Sequence, residues 1–226
     1  MNENLEQKQE SSKTWSWGKL KDATDDWKED IVSGPFGSNL VVADYRQTGV
    51  PLIRLQNVQR SFFLDSDIKF VSKEKAEELS RHSFKVGDLI MAKLGVPIGK
   101  TCTVPNTFQS GIIVADVVRI RISKSNNSKF FEFLLNSPLI TNQLTSKIIG
   151  STRPRVNLDH VRELIVPIPE VKEQNQIADK LTRTQNYCNL IKDDIAQELA
   201  AVTGLYEAIL NDTFGNHFQN SDANDE

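Results

Sequence analysis

Residues 170 to 211 run for 42 positions with no proline and a single glycine, Gly204. Along them apolar side chains recur at Ile177, Leu181, Cys188, Ile191, Ile195, Leu199, Val202, Leu205 and Ile209, with Thr184 in the one gap. Steps of three and four trace one stripe on an α-helix, close to the heptad rule of coiled coils. At 1.5 Å per residue such a helix extends roughly 63 Å, farther than the domain before it can cover. The spacing predicts a long coiled-coil-type helix over 170–214 whose seam pairs with another helix; the alternative is a break near Gly204 and a fold-back.

The chain before it follows other rules. Residues 1–14 have few apolar side chains and are expected to be a disordered lead, and residues 215–226, ending in NSDANDE, an acidic disordered tail. Trp15, Trp17 and Leu20 alternate with polar residues as in a half-buried strand. GVPLIRLQNV (49–58), IKFVS (68–72), KTCTVP (100–105), GIIVADVVRIRI (111–122) and ELIVPIP (163–169) are β-like, and VGDLIMAKLG (86–95) reads as a turn feeding a buried strand. Ser72 can cap a helix through KEKAEELS, and Ser128 one through SKFFEFLLNS. PLITNQLTSKIIG (138–150) has Pro at its start and Gly at its end, as helices favour. Residues 15–169 are therefore expected to form an α+β domain with a mixed, mainly antiparallel β-sheet and peripheral helices.

No apolar run is long enough to span a bilayer, and the N-terminal residues are too polar for a signal peptide, so a cytoplasmic protein without membrane contact is expected. Two separated cysteines and three scattered histidines indicate neither a disulfide scaffold nor a metal site. A net charge of −3 argues at first against a nucleic-acid partner. The distribution reverses that inference: residues 81–155 hold eleven Lys and Arg against three acids, a local +8, and the rest of the chain carries −11. A basic binding face on an acidic molecule has this signature, and so does a scatter of solvated lysines.

GVPIGKT (95–101) resembles a phosphate-binding loop, but it is one residue short of that spacing and TCTVP follows where a helix must begin. No nucleophile, carboxylate pair or dinucleotide fingerprint has a supporting context, so the chain is expected to be no enzyme and to bind something. Cations at Arg54, Lys93, Lys100, Arg153 and Arg155 mix with amides at Asn39, Gln56 and Asn57. Arg and Lys neutralise phosphates, and Arg, Asn and Gln can pair with base edges. GSTRPRVN (150–157) joins the two regions; it reads equally as a solvated connection or as a phosphate clamp.

Five segments in order, SGPFGS (33–38), GVPLIRLQNV (49–58), GDLIMAKLGVPIGK (87–100), GSTRPRVNLDHVRELIVPIPEVKEQNQIADKL (150–181) and the long helix, resemble the specificity subunits of type I restriction-modification systems. The similarity covers roughly residues 15–212, and its most specific part is the Gly-Ser-Thr loop, the Pro-Ile-Pro strand end and Glu173-Gln174 opening the helix. The resemblance implies a target recognition domain that reads half of a split duplex DNA sequence, a spacer helix, and docking of methyltransferase and restriction subunits. S-adenosylmethionine and ATP would then sit on those partners, with no cofactor on this chain. Ser38, Asn39, Arg54, Gln56, Asn57, Lys93, Lys100, Ser151, Thr152, Arg153 and Arg155 are the candidate DNA contacts. Family members usually carry two recognition domains and two spacers, and here there is one of each. A half-subunit that pairs as a homodimer is expected; a truncated gene or an engineered fragment fits equally. From another class, a protein-interaction adaptor that assembles through its helix without reading DNA is the alternative.

Overall fold

The structure, a computed structural model, describes residues 15–148 and 154–215. The chain divides into a globular unit reaching Ala178 and a second unit from Asp179. In order the elements are β1 (Ser16–Lys19), α1 (Trp27–Asp30), β2 (Ile31–Ser33), β3 (Val50–Ile53), β4 (Val58–Gln59), β5 (Phe62–Phe63), β6 (Lys69–Val71), α2 (Lys73–Glu78), β7 (Ser83–Lys85), β8 (Leu89–Ala92), β9 (Thr101–Thr103), β10 (Ser110–Ile113), β11 (Val117–Ile120), α3 (Ser128–Leu135), α4 (Pro138–Thr145), α5 (Leu158–Arg162), β12 (Ile165–Ile168) and α6 (Val171–Leu210). No helix among the described residues is long and apolar enough to cross a membrane.

The α+β class holds, with the strands spread over two four-stranded sheets and two pairs rather than one sheet. The first, β2-β11-β8-β9, is antiparallel throughout. The second, β6-β3-β10-β7, contains one parallel pair, β3 with β10. Strands β1 and β12 pair antiparallel, Trp17 opposite Pro167.

Strands β8 and β11 lack polar alternation because both of their faces are buried. Leu89, Met91, Val118 and Ile120 join a core with Phe131, Leu135 and Leu144, which α3 and α4 supply. Ile90, Ala92 and Val117 join another with Ile53, Phe84 and Ile113. Asp116 interrupts the run 111–122 at the turn between β10 and β11, so the one strand expected there is two strands in different sheets.

Helix ends follow local chemistry. Ser72 Oγ accepts the Lys75 N–H at 3.2 Å, as expected for a cap. For α3 the cap is Asn127, not Ser128: its Oδ1 accepts the Phe130 N–H at 2.9 Å. Sequence reading missed α5, capped by Asn157, whose Oδ1 accepts the His160 N–H at 2.8 Å.

Helix α6 passes Gly204 without a break and ends in a π-helical turn, Asn211–Gly215. Its start is locked into the globular unit. Trp15 Nε1 donates to Glu173 Oε1 at 2.9 Å. Buried Gln174 donates to Pro169 O and Asn126 Oδ1, each at 2.8 Å, and accepts the Asn127 N–H at 2.7 Å. Ile177, assigned from sequence to the pairing seam, packs against the globular core instead, because the helix is still within the domain there. From Leu181 onward the stripe is exposed: Cys188, Ile191, Ile195, Leu199, Val202, Leu205 and Ile209 all face solvent.

Candidate nucleic-acid interface

Of the expected contacts, Ser151, Thr152 and Arg153 lie outside the described residues. The others fall on loops linked by direct contacts. Arg54 opens a 3-10 turn at Leu55–Asn57 that Asn57 builds: its Oδ1 accepts the Arg54 N–H at 2.9 Å, and its Nδ2 donates to Leu64 O at 2.9 Å and Ser66 O at 3.2 Å. Asn57 is fully buried, so this expected DNA contact is corrected: the amide shapes the loop and presents nothing outward.

The turn aims Arg54 and Gln56 at Asp67. The Arg54 guanidinium meets Asp67 Oδ2 at 2.8 Å and also donates to the Asp67 carbonyl, and Gln56 Nε2 reaches the same carboxylate oxygen at 3.1 Å. Lys69 Nζ lies 2.6 Å from Asp67 Oδ1. Hydrogen bonds from Lys69 and then Arg54 hold the Asp67 carboxyl down to about 2.

A second carboxylate organises the other side. Asp116 Oδ1 lies 3.2 Å from Arg155 Nη2, and the Asp116 carbonyl accepts the Lys93 N–H at 3.0 Å. Residues 154–156 run antiparallel to 93–95: Gly95 N–H bonds Pro154 O at 3.1 Å and Val156 N–H bonds Lys93 O at 3.0 Å. Arg155 is therefore mounted on the loop that carries Lys93. Burial lowers the Lys93 ammonium pKa; the Asp116 charge opposes this and Arg155 adds to it.

Lys100 completes the chain of contacts, its Nζ 3.2 Å from Gln59 Oε1, while Gln59 Nε2 donates to Gln56 O at 2.9 Å. Gly99 before it has φ +79° and packs on Leu144, and β9 follows, so the loop that resembles a phosphate-binding motif leads into a strand. Ser38 and Asn39 are exposed and bonded to each other at 3.3 Å, in the turn that Asn39 N–H closes on Phe36 O. Between these loops lies an open concavity of about 300 Å³ lined by Pro35, Tyr45, Arg54, Gln56, Val114 and Asp116.

The basic segment contributes less than its count suggests. Arg119 is buried and donates to the Ser83 and Glu29 carbonyls, Arg121 forms a two-pronged pair with Asp88 at 2.8 Å, and Lys129 meets Glu132 at 2.9 Å. Sequence reading missed Asp67, Gln59 and Asp116. Only Asp116 left a signal, as the lone acid inside an apolar run.

Residues 43–201 match the family described as the type I restriction modification DNA specificity domain. The chain is 23% identical over 171 residues to the type I restriction enzyme EcoKI specificity subunit of Escherichia coli K12, covering 74% of this chain and 37% of that protein. It is 24% identical over 198 residues to the EcoBI specificity subunit of Escherichia coli, covering 84% and 41%. The chain thus spans less than half the length of these curated relatives. The HsdS subunit from Thermoanaerobacter tengcongensis shares the fold at a TM-score of 0.57 and 19% identity, over 80% of this chain and 44% of that one. A chain from a structure on complex assembly and conformational transition of the type I R-M system does so at 0.66 and 16%, over 91% and 47%. With well over half of its length inside the family match, the chain belongs to the type I restriction modification DNA specificity domain family.

Proposed function

We propose that this chain is the DNA-reading, non-catalytic subunit of a type I restriction-modification complex. Its globular unit reads one half of a bipartite duplex site, and its long helix is the spacer that docks methyltransferase and restriction subunits. The observation that carries the reading is that Arg54 and Gln56 line one concavity while Lys93, Lys100 and Arg155 sit on loops bonded to its walls, the first and last through Asp116 and Lys100 through Gln59. Cations there suit phosphates, and Arg54 and Gln56 have the donors that base edges accept. The exposed stripe from Leu181 to Ile209 supports pairing of two copies, since an apolar seam of that length is stable only when covered. An antiparallel pair would be two-fold symmetric and would read an inverted repeat.

Titration of duplex DNA at several salt concentrations tests the reading. Affinity is expected to fall linearly in log K against log salt. Absence of salt-dependent binding, with partner subunits still captured, would favour a second reading, an adaptor that assembles through its helix. The observation on that side is that Asp67 and Asp116 already occupy Arg54 and Arg155.

A further inference from the structure

The loops around the concavity carry apolar side chains that the DNA reading has not used. Phe36 is 85% exposed and Val96 81%, the two highest values among large apolar side chains of the described residues. One such side chain is ordinary on a protein surface. Their placement is not. Phe36 follows Pro35, which lines the concavity with Arg54 and Asp116. Val96 follows Gly95, whose N–H holds Pro154 O beside Arg155. Phe62, 58% exposed, pairs in β5 with Gln59, the residue that holds Lys100.

Both leading tips stand on pinned loops. Gly34 N–H bonds Val117 O at 2.9 Å, Ser33 Oγ bonds Ala115 O at 2.9 Å, and a Cβ on Gly34 would fall 2.0 Å from Val114 O. The approach is so close that only glycine fits, and Pro35 then fixes the exit direction. The Val96 loop is closed by Gly99 N–H on Ala92 O at 3.0 Å. Little freedom is left in either backbone to be lost on binding.

A protein partner generally meets an apolar centre with a polar rim. Here the concavity mixes Arg54, Gln56 and Asp116 with apolar walls, and the most exposed apolar tips stand outside it, next to its cation-bearing loops. Duplex DNA suits it: phosphates answer the cations, and apolar wedges can enter between stacked base pairs. We propose that Phe36 is a base-directed wedge that partly unstacks one step of the bound duplex, with Val96 as a second apolar contact beside Arg155. The proposal rests on the DNA reading above.

The full-length chain is mixed with a random-sequence duplex pool, bound duplexes are recovered, and the enriched duplex is remade with 2-aminopurine at each adenine in turn. Wild type is expected to raise the fluorescence at one step or more. Phe36→Ala is expected to abolish that rise and to bind roughly ten-fold more weakly. The salt slope should be unchanged, because no phosphate contact is removed. Phe36→Trp is expected to retain both, and Val96→Ala to weaken binding less than Phe36→Ala. Thermal melting of each variant should match wild type, since these side chains are exposed. Salt-dependent wild-type binding without a rise, or Phe36→Ala binding like wild type, would overturn the wedge and leave the DNA reading standing. So would a Phe36→Ala defect accompanied by a smaller salt slope. Failure of wild type to bind the pool at any salt would overturn the DNA reading itself.

Discussion

Asp67 and Asp116 set what Arg54, Lys69 and Arg155 can offer a phosphate. Each carboxylate orients its cations, and under the proposed reading DNA would compete with it for them. Arg155→Ala is accordingly expected to weaken duplex binding and to reduce the salt slope by about one, measured by salt-titrated binding. Asp116→Asn should do the opposite, raising affinity for duplex of any sequence, because it frees Arg155. The pH dependence follows from Asp67. Its carboxyl is near 2 in the folded protein against an ordinary 3.8, so its stabilising effect is present above about 3.8 and is lost as pH falls toward 2. Melting temperatures of wild type and Asp67→Asn should converge over that window. A constant gap between the two would contradict the assignment. The arginines were legible in the sequence as residue types, but their partners were not. Arg54 and Asp67 are 13 residues apart and Arg155 and Asp116 are 39 apart, and no local pattern encodes such pairs.

At the level of elements, α6 depends on how its first turns are held. Gln174→Leu removes three hydrogen bonds from a buried site and leaves Asn127 N–H and Pro169 O without that partner. It is expected to cost about 2–3 kcal/mol in denaturant unfolding of the globular unit. A loss below about 0.5 kcal/mol, the range of ordinary surface substitutions, would show that Gln174 is not the anchor. The same helix explains which elements sequence can reveal. Its periodicity repeats over 40 residues, so the signal accumulates and both the helix and its exposed stripe were legible. The buried runs of β8 and β11 were legible for a related reason, because burial on two faces leaves a nearly continuous apolar string, broken in β11 only by Arg119. Helix α5 spans only Leu158–Arg162, too short for a period to appear. The parallel pairing of β3 with β10 joins segments about sixty residues apart, and nothing local in either strand specifies it.

For the whole molecule, net charge is a poor guide to partners. The value of −3 conceals a basic segment, and within that segment Arg119, Arg121 and Lys129 are spent on internal contacts. What remains for a partner includes Lys93, Lys100 and Arg155 beside the concavity and the exposed Lys85, Lys124 and Lys147. The proposed pairing of two copies belongs to the same scale. Leu199→Glu places a charge in the exposed stripe, and it is expected to convert a dimer to a monomer in sedimentation without lowering the melting temperature of the globular unit. A wild-type chain that stays monomeric at micromolar concentration, with and without DNA, would contradict the pairing. The most direct test of the central claim is methylation mapping in cells that express this chain together with a type I methyltransferase subunit. A methylated bipartite motif is expected, its halves forming an inverted repeat around a non-specific gap and present only when the chain is present. Methylation that does not depend on the chain, or its complete absence, would contradict it.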